Sequence, residues 1–350
     1  MTVEEAVPVT RFVVPPGSDA VAPPERRGVP RDGIRLLVTR PGFVEHRRFH
    51  DLPDLLEPGD LVLVNTSATM PAAVDGRRQT GRRVPVHVST VLDDGDWVVE
   101  VRRPGGDGPD LTVEPGETVV LPGRHDLRLD SPYPDPTARA SRLWRATVAP
   151  PTSLPAYLAR HGRPIQYGYV RRRFPLADYQ TVFATDPGSA EMPSAARPFT
   201  ASLVVRLITR GVVVAPVVLH AGVSSPELRE PPTPEWFEVS ETTARLVNNT
   251  RWAGGRVVAV GTTVVRALES VAAQDGTVRP TAGWTNLVLG RDRPARTVTG
   301  LVTGLHAPEA SHLLLLEAVA GPRLVDLAYQ AAVDNRYLWH EFGDATLFLP

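Results

Sequence analysis

The residues of this chain best placed to do chemistry begin with Gly261-Thr262-Thr263, which follow an apolar run at 256–260 and precede a helical pattern at 264–271. The run suits a strand covered on both faces. A strand that passes straight into a helix gathers backbone N–H groups and two hydroxyls at the helix N-terminus, where an anion or a ligand hydroxyl is favoured. A well-capped helix that binds nothing would show the same pattern. His220 closes the apolar run 212–219. It therefore stands at a strand's carboxyl end, where α/β sites form, and its imidazole titrates near neutrality; an ordinary loop histidine is the competing reading. Glu235 is a base if desolvation raises it, or otherwise a surface carboxylate. Asp344, after Gly343, either anchors a ligand hydroxyl or caps its own turn.

These groups need a scaffold. Residues 33–40, 46–50 and 61–65 read as strands, the last ending in the polar group Asn65-Thr66-Ser67. From about 70 to 148 the texture changes to short alternating strands at 84–91, 97–101, 118–121 and 143–148, broken by Gly, Asp and Pro. Strands of that kind predict a small antiparallel β-barrel set into a larger domain. Helices are expected at 154–160, 201–209 and 240–251, the last opened by a Ser240 cap. The first 32 residues predict an extended segment, partly strand.

Composition bounds the class. At 350 residues with 42% hydrophobic and 22% charged content, the chain can build two domains or one domain with an insertion. No apolar run reaches membrane-span length and the N-terminus lacks the order of a signal peptide, so a cytoplasmic location with no membrane partner is expected. Cysteine is absent, which excludes disulfides and thiolate chemistry. Lysine is absent too, so the fixed side-chain cations are arginines, suited to phosphate and carboxylate but not to Schiff bases. A net charge of −1 gives no global pull toward nucleic acid. Arg171-Arg172-Arg173 is the strongest basic cluster, either an RNA-phosphate contact or a solvated face.

Several blocks in order carry a resemblance: Asp54 to Asn65, the Tyr179-Gln180 block, Gly188-Ser189 with Pro193 and Phe199-Thr200, Glu235 to Ser240, Gly261-Thr262-Thr263, and Gly343-Asp344-Ala345. Together they resemble the S-adenosylmethionine:tRNA ribosyltransferase-isomerase family of the queuosine pathway. The resemblance implies an α/β fold in which a large, barrel-like α/β catalytic domain (1–69 and 150–350) is interrupted by an antiparallel β-barrel (70–149). It implies ribosyl transfer and isomerisation from S-adenosylmethionine, a co-substrate, onto a 7-aminomethyl-7-deazaguanine in tRNA, with adenine and methionine released, no metal, and a monomer. The chemistry needs a base near the carbon beside the sulfonium, a donor at the departing adenine and a neutral attacking amine. His306 lies at a retained family position and is the foremost acid or base, although a hydrogen-bonded core histidine would look alike. Asn65, Ser189, Pro193, Thr262, Thr263 and Thr303 are ligand-contact candidates. Tyr179 and Gln180 either meet a base or pack at the domain edge. Arg266 is a clamp for the methionine carboxylate, or pairs with Glu269 along the helix.

The departures are as specific as the matches. The family's Asn-Asp-Thr-Arg turn is Asn65-Thr66-Ser67-Ala68, Pro198 stands where a histidine is expected, and Leu338 replaces an arginine. The segment from Glu230 to Glu235 lacks two histidines, and Glu309 takes a lysine position. Fewer cationic positions weaken contact with a polyanion. Two further readings therefore stand beside the family reaction: a paralogue using a small nucleoside or amine acceptor, and a non-catalytic RNA- or metabolite-binding relative. His340 and Glu341 are candidate replacements for lost groups.

Overall fold

The computed structural model describes residues 7–105, 108–139, 141–224, 232–308 and 310–350; the readings at Glu230, Pro231 and Glu309 lie outside these. In chain order the strands are β1 (Arg35–Arg40), β2 (Phe43–Arg48), β3 (Leu61–Asn65), β4 (Ser67–Thr69), β5 (Ala73–Arg78), β6 (Arg83–Val91), β7 (Trp97–Val101), β8 (Thr118–Leu121), β9 (His125–Pro132) and β10 (Leu143–Ala149). There follow β11 (Asp186–Ser189), β12 (Val213–Leu219), β13 (Glu235–Val239), β14 (Val257–Val260), β15 (Thr281–Thr285), β16 (Gly300–Gly304) and β17 (Ala345–Phe348). The helices are α1 (Leu52–Leu55), α2 (Leu154–His161), α3 (Ala201–Thr209), α4 (Glu241–Trp252), α5 (Thr262–Ser270), α6 (Ser311–Ala320) and α7 (Pro322–Asp334).

A nine-stranded sheet runs in the order β15-β13-β12-β3-β14-β16-β17-β1-β2, with β12, β3, β14 and β16 parallel at its centre. Side chains alternate between the faces of a strand, so a central strand must be apolar at every position when both faces are covered. That is why β3 and β14 read as unbroken apolar runs. Leu61, Leu63, Val257 and Ala259 pack with residues of α4 to α7, whereas Val62, Val64, Val258 and Val260 pack with α1 and α3. Asp60 ties the starts of the two strands together by accepting from the Arg256 backbone N–H at 3.0 Å and from its guanidinium at 2.5 Å.

Strands β5 to β10 close an antiparallel barrel in the order β10-β7-β6-β5-β8-β9, which abolishes edges and fills its interior with Val86, Val88, Trp97, Val99, Leu127 and their neighbours. The α/β class and the inserted barrel are therefore as expected. Two barrel strands escaped the sequence reading: in β5 Asp75, Gly76 and two arginines follow only two apolar residues, and in β9 only Leu127 and Leu129 alternate with charged residues. The N-terminal expectation is corrected. Residues 7–32 carry 3-10 turns at Pro24–Arg27 and Arg31–Gly33 and an isolated bridge from Asp19 to Trp339, but no strand. Likewise, the strand expected at 46–50 ends at Arg48, where Phe49–Asp51 turns. No described helix is long and apolar enough to cross a membrane.

Candidate active site

The loops leaving β12, β14 and β16 at their carboxyl ends line a cavity of about 470 Å³. Gly261, with φ of 94°, makes the turn from β14 into α5, a conformation that penalises any residue with a Cβ. Helix α5 starts without a side-chain cap and presents Thr262 and Thr263 to the cavity, as the strand-turn-helix pattern implied. Asn65 does not face a ligand. Its Nδ2 donates to the Leu219 carbonyl at 2.8 Å and to Thr263 Oγ1 at 3.4 Å, and its Oδ1 accepts from the Leu219 and Ser67 N–H groups at 3.0 Å. It fastens the ends of β3 and β12 to the start of α5.

Ser189 and His220 form part of the same fastening. The hydroxyls of Ser67 and Ser189 lie 2.7 Å apart, Ser189 Oγ accepts from the Ala221 N–H, and His220 Nδ1 is 2.8 Å from Ser67 Oγ. The His220 ring stacks on Trp236 at 5.2 Å and is packed so closely on Gly188 that a Cβ there would fall 2.3 Å away. Burial holds its pKa below the ordinary value. His220 is thus behind the cavity wall, and Ala221 and Gly222 take its expected place on the surface.

His306 is on the cavity. Its Nε2 is 3.0 Å from Thr303 Oγ1, its backbone N–H donates to Tyr329 Oη at 3.1 Å, and its ring stacks on His312 at 4.6 Å. Burial, reinforced by His312 and His340, holds it well below an ordinary imidazole, and burial lowers His312 to about 4. Both rings are neutral at pH 7.

Glu235 and Arg266 also reach the cavity, but as each other's partners. The Arg266 Nη1 pairs with Glu235, Nη2 donates to the Thr233 and Thr285 carbonyls, and Nε donates to Leu287. A guanidinium has five N–H donors, so one is left and the carboxylate-clamp expectation loses its fork. Burial raises Glu235, opposed by Arg266 and the Gly222 N–H. The expected Arg266–Glu269 pair does not form either. Glu269 is 1% exposed and accepts from the backbone N–H groups of Arg296, Thr297 and Val298 and from Arg293, so it anchors a loop rather than a ligand.

Asp344 caps its turn: it accepts from the Leu338 and Arg35 N–H groups and from the Arg35 guanidinium. It borders a separate void of about 20 Å³, not the larger cavity. Tyr179 packs on Phe342 at 5.2 Å, and the Gln180 amide bonds both backbone groups of Thr69, so both take the packing role. Pro193 lines the cavity. Arg171, Arg172 and Arg173 are exposed on the segment just beyond Tyr167 and Tyr169, which do line it.

The sequence reading missed Tyr167, Tyr169, Glu191 and His312. Glu191 stands between two residues singled out as family matches, Ser189 and Pro193, and accepts from Ser224 N–H at 2.7 Å, Ser224 Oγ at 2.6 Å and Tyr167 Oη. Burial raises it. His340 and Glu341 do come to the cavity, His340 stacked on Tyr169 at 4.3 Å. Among the described residues, no group of three or more His, Asp or Glu could hold a metal ion.

A family model described as queuosine biosynthesis protein matches residues 9–348. Curated relatives named S-adenosylmethionine:tRNA ribosyltransferase-isomerase include that of Symbiobacterium thermophilum, 38% identical over 91% of this chain and 94% of its own length. That of Moorella thermoacetica is 34% identical over 97% and 98%. The crystal structure of S-adenosylmethionine tRNA ribosyltransferase from Thermotoga maritima is 29% identical, with a TM-score of 0.53 over 97% of this chain and 99% of that one. On this agreement of sequence and fold along nearly its whole length, the chain belongs to the queuosine biosynthesis protein family.

Proposed function

We propose that this protein transfers and isomerises the ribosyl part of S-adenosylmethionine onto a 7-aminomethyl-7-deazaguanine in tRNA, releasing adenine and methionine. The observation that carries the reading is the cavity at the carboxyl ends of the central strands, built by the Gly261-Thr262-Thr263 turn and His306, in a chain matched over 91% and 97% of its length by relatives bearing that name. A cavity of about 470 Å³ suits a ligand of this size. Leu289, Leu305 and Leu315 offer an apolar wall to the adenosine, and the uncapped start of α5 offers N–H groups to the methionine carboxylate. S-adenosylmethionine brings a sulfonium that acidifies the adjoining C–H and the ribosyl group to be transferred. The protein's part is to orient and to move protons. In the tautomer whose Nε2–H donates to Thr303 Oγ1, the neutral His306 presents Nδ1 as a proton acceptor, and Thr262 and Thr263 contact rather than deprotonate.

The test is chromatography for adenine and methionine after incubation with S-adenosylmethionine, with and without tRNA bearing the aminomethyl base, alongside transfer of ribosyl label to the tRNA. Label transfer is expected, and His306→Ala should slow it about 10²- to 10⁴-fold. The replaced family positions, Thr66, Ala68, Pro198 and Leu338, favour a second reading in which the acceptor is a small amine. Adenine release supported by the free base but not by tRNA would select it. tRNA binding without release would select a recognition protein.

A further inference from the structure

Glu191 and Glu341 both line the cavity, beside the rings of Tyr167 and Tyr169, and neither has a part in the steps above. Glu191 is oriented by Ser224 and Tyr167. Glu341 is not: its Oε1 is removed from solvent and has no hydrogen-bond partner. The nearby arginines and His340 are engaged elsewhere. Arg197 donates to the Asp178 carbonyl at 2.8 Å and to Glu25 at 2.9 Å, Arg142 donates to Glu100 at 2.8 Å, and His340 pairs with Asp19 at 3.0 Å. A carboxyl oxygen out of reach of water and without a hydrogen-bond partner, on a side chain whose neighbouring arginine is spent on other acceptors, is costly unless a ligand supplies the partner, and flanking aromatic rings suit an organic cation.

We propose that Glu191 and Glu341 seat the primary amine of the acceptor, binding it as an ammonium and removing the proton that would block attack. The inference rests on the reaction proposed above. Burial and the neighbouring Glu191 push Glu341 up to about 8, opposed by Arg197. Tyr169, Tyr179 and His340 are the other titratable groups around it, and Glu100 acts on Glu191. In the free protein Glu341 therefore carries a proton at neutral pH, which an arriving ammonium displaces to water. One N–H bond of the ammonium then breaks as the Glu341 O–H bond forms, leaving a neutral amine and needing no further reactant.

The experiment is calorimetric binding of 7-aminomethyl-7-deazaguanine and of its neutral 7-hydroxymethyl counterpart, in buffers of differing ionisation enthalpy from pH 6 to 9. The wild type should prefer the amine, release a proton on binding it below pH 8, and bind it more tightly as pH rises toward 8. Glu341→Gln should weaken the amine about 10- to 100-fold, the worth of one hydrogen bond to a charged group, abolish the proton release and leave the hydroxymethyl compound unchanged. Glu191→Gln, which keeps an acceptor for Ser224, should weaken the amine in the same sense. No preference for the amine in the wild type, or wild-type affinity for the amine in both variants, overturns the proposal. Weakened binding of S-adenosylmethionine but not of the amine also overturns it, by giving the pair to the sulfonium. Adenine release assayed separately with S-adenosylmethionine and the aminomethyl-base tRNA keeps the two readings apart: an amine preference without that release contradicts the proposed reaction and leaves the amine seat standing.

Discussion

Glu100 in the barrel and Glu341 in the cavity each hold a carboxyl oxygen out of reach of water, yet their surroundings differ in kind. Glu100 is fully buried with Arg102 at 2.5 Å and Arg142 at 2.8 Å. Glu341 has an oxygen with no partner at all. The barrel completes its charges and so uses them for shape; the cavity leaves charges and helix N–H groups incomplete and so can exchange them with a ligand. Arg142 joins the two regions, since it also donates to the Val223 carbonyl beside the cavity at 3.2 Å.

The largest break in this contrast is Glu100→Ala. Removing one member of a buried ionic group leaves the other uncompensated, so urea unfolding should show a loss of about 3–5 kcal/mol. Glu269→Ala should follow at about 2–3 kcal/mol, because three backbone N–H groups lose their acceptor. A loss below about 1 kcal/mol in either would mean that these carboxylates are not structural.

Glu341 should behave oppositely, and pH exposes it. Its folded value of about 8 lies above the ordinary 4.5, so the folded chain holds more protons than the unfolded one between those values. Its contribution is complete below about pH 4.5 and is lost as pH rises through 8, at no more than about 1.4 kcal/mol per unit. Unfolding measured at intervals from pH 5 to 8.5 should therefore show wild type falling relative to Glu341→Gln. Parallel curves would place Glu341 in ordinary contact with water.

What the sequence disclosed follows from which forces are local. The β14-turn-α5 unit and the Ser240 cap are written in neighbouring residues, and both stand as expected. The barrel showed through alternation, except where β5 and β9 carry charge. Arg266 and Glu269 misled because their spacing matches an intrahelical pair, while their partners come from β13 and from residues 293–298. Glu191, Tyr167 and Glu341 meet only because loops 150 residues apart converge on one cavity, which no periodicity records. His220 shows the converse: its strand-end position was right, but its ring packs between Gly188 and Trp236 and does not line the cavity.

The two helix starts offer the finest test. In α4, Ser240 Oγ accepts from the Thr243 N–H at 3.2 Å, so one of the orphan donors is served by a side chain. In α5 the N-cap is Gly261, no side chain serves, and the first N–H groups open on the cavity. Ser240→Ala should cost about 1 kcal/mol in urea unfolding and leave S-adenosylmethionine binding unchanged. The reverse is expected at α5: saturating S-adenosylmethionine should raise the unfolding midpoint of both proteins by the same amount, since the ligand supplies what α5 lacks and Ser240 has no share in it. A ligand-induced shift that shrinks in Ser240→Ala would show that the two helix starts are coupled and that the division between completed and open sites fails.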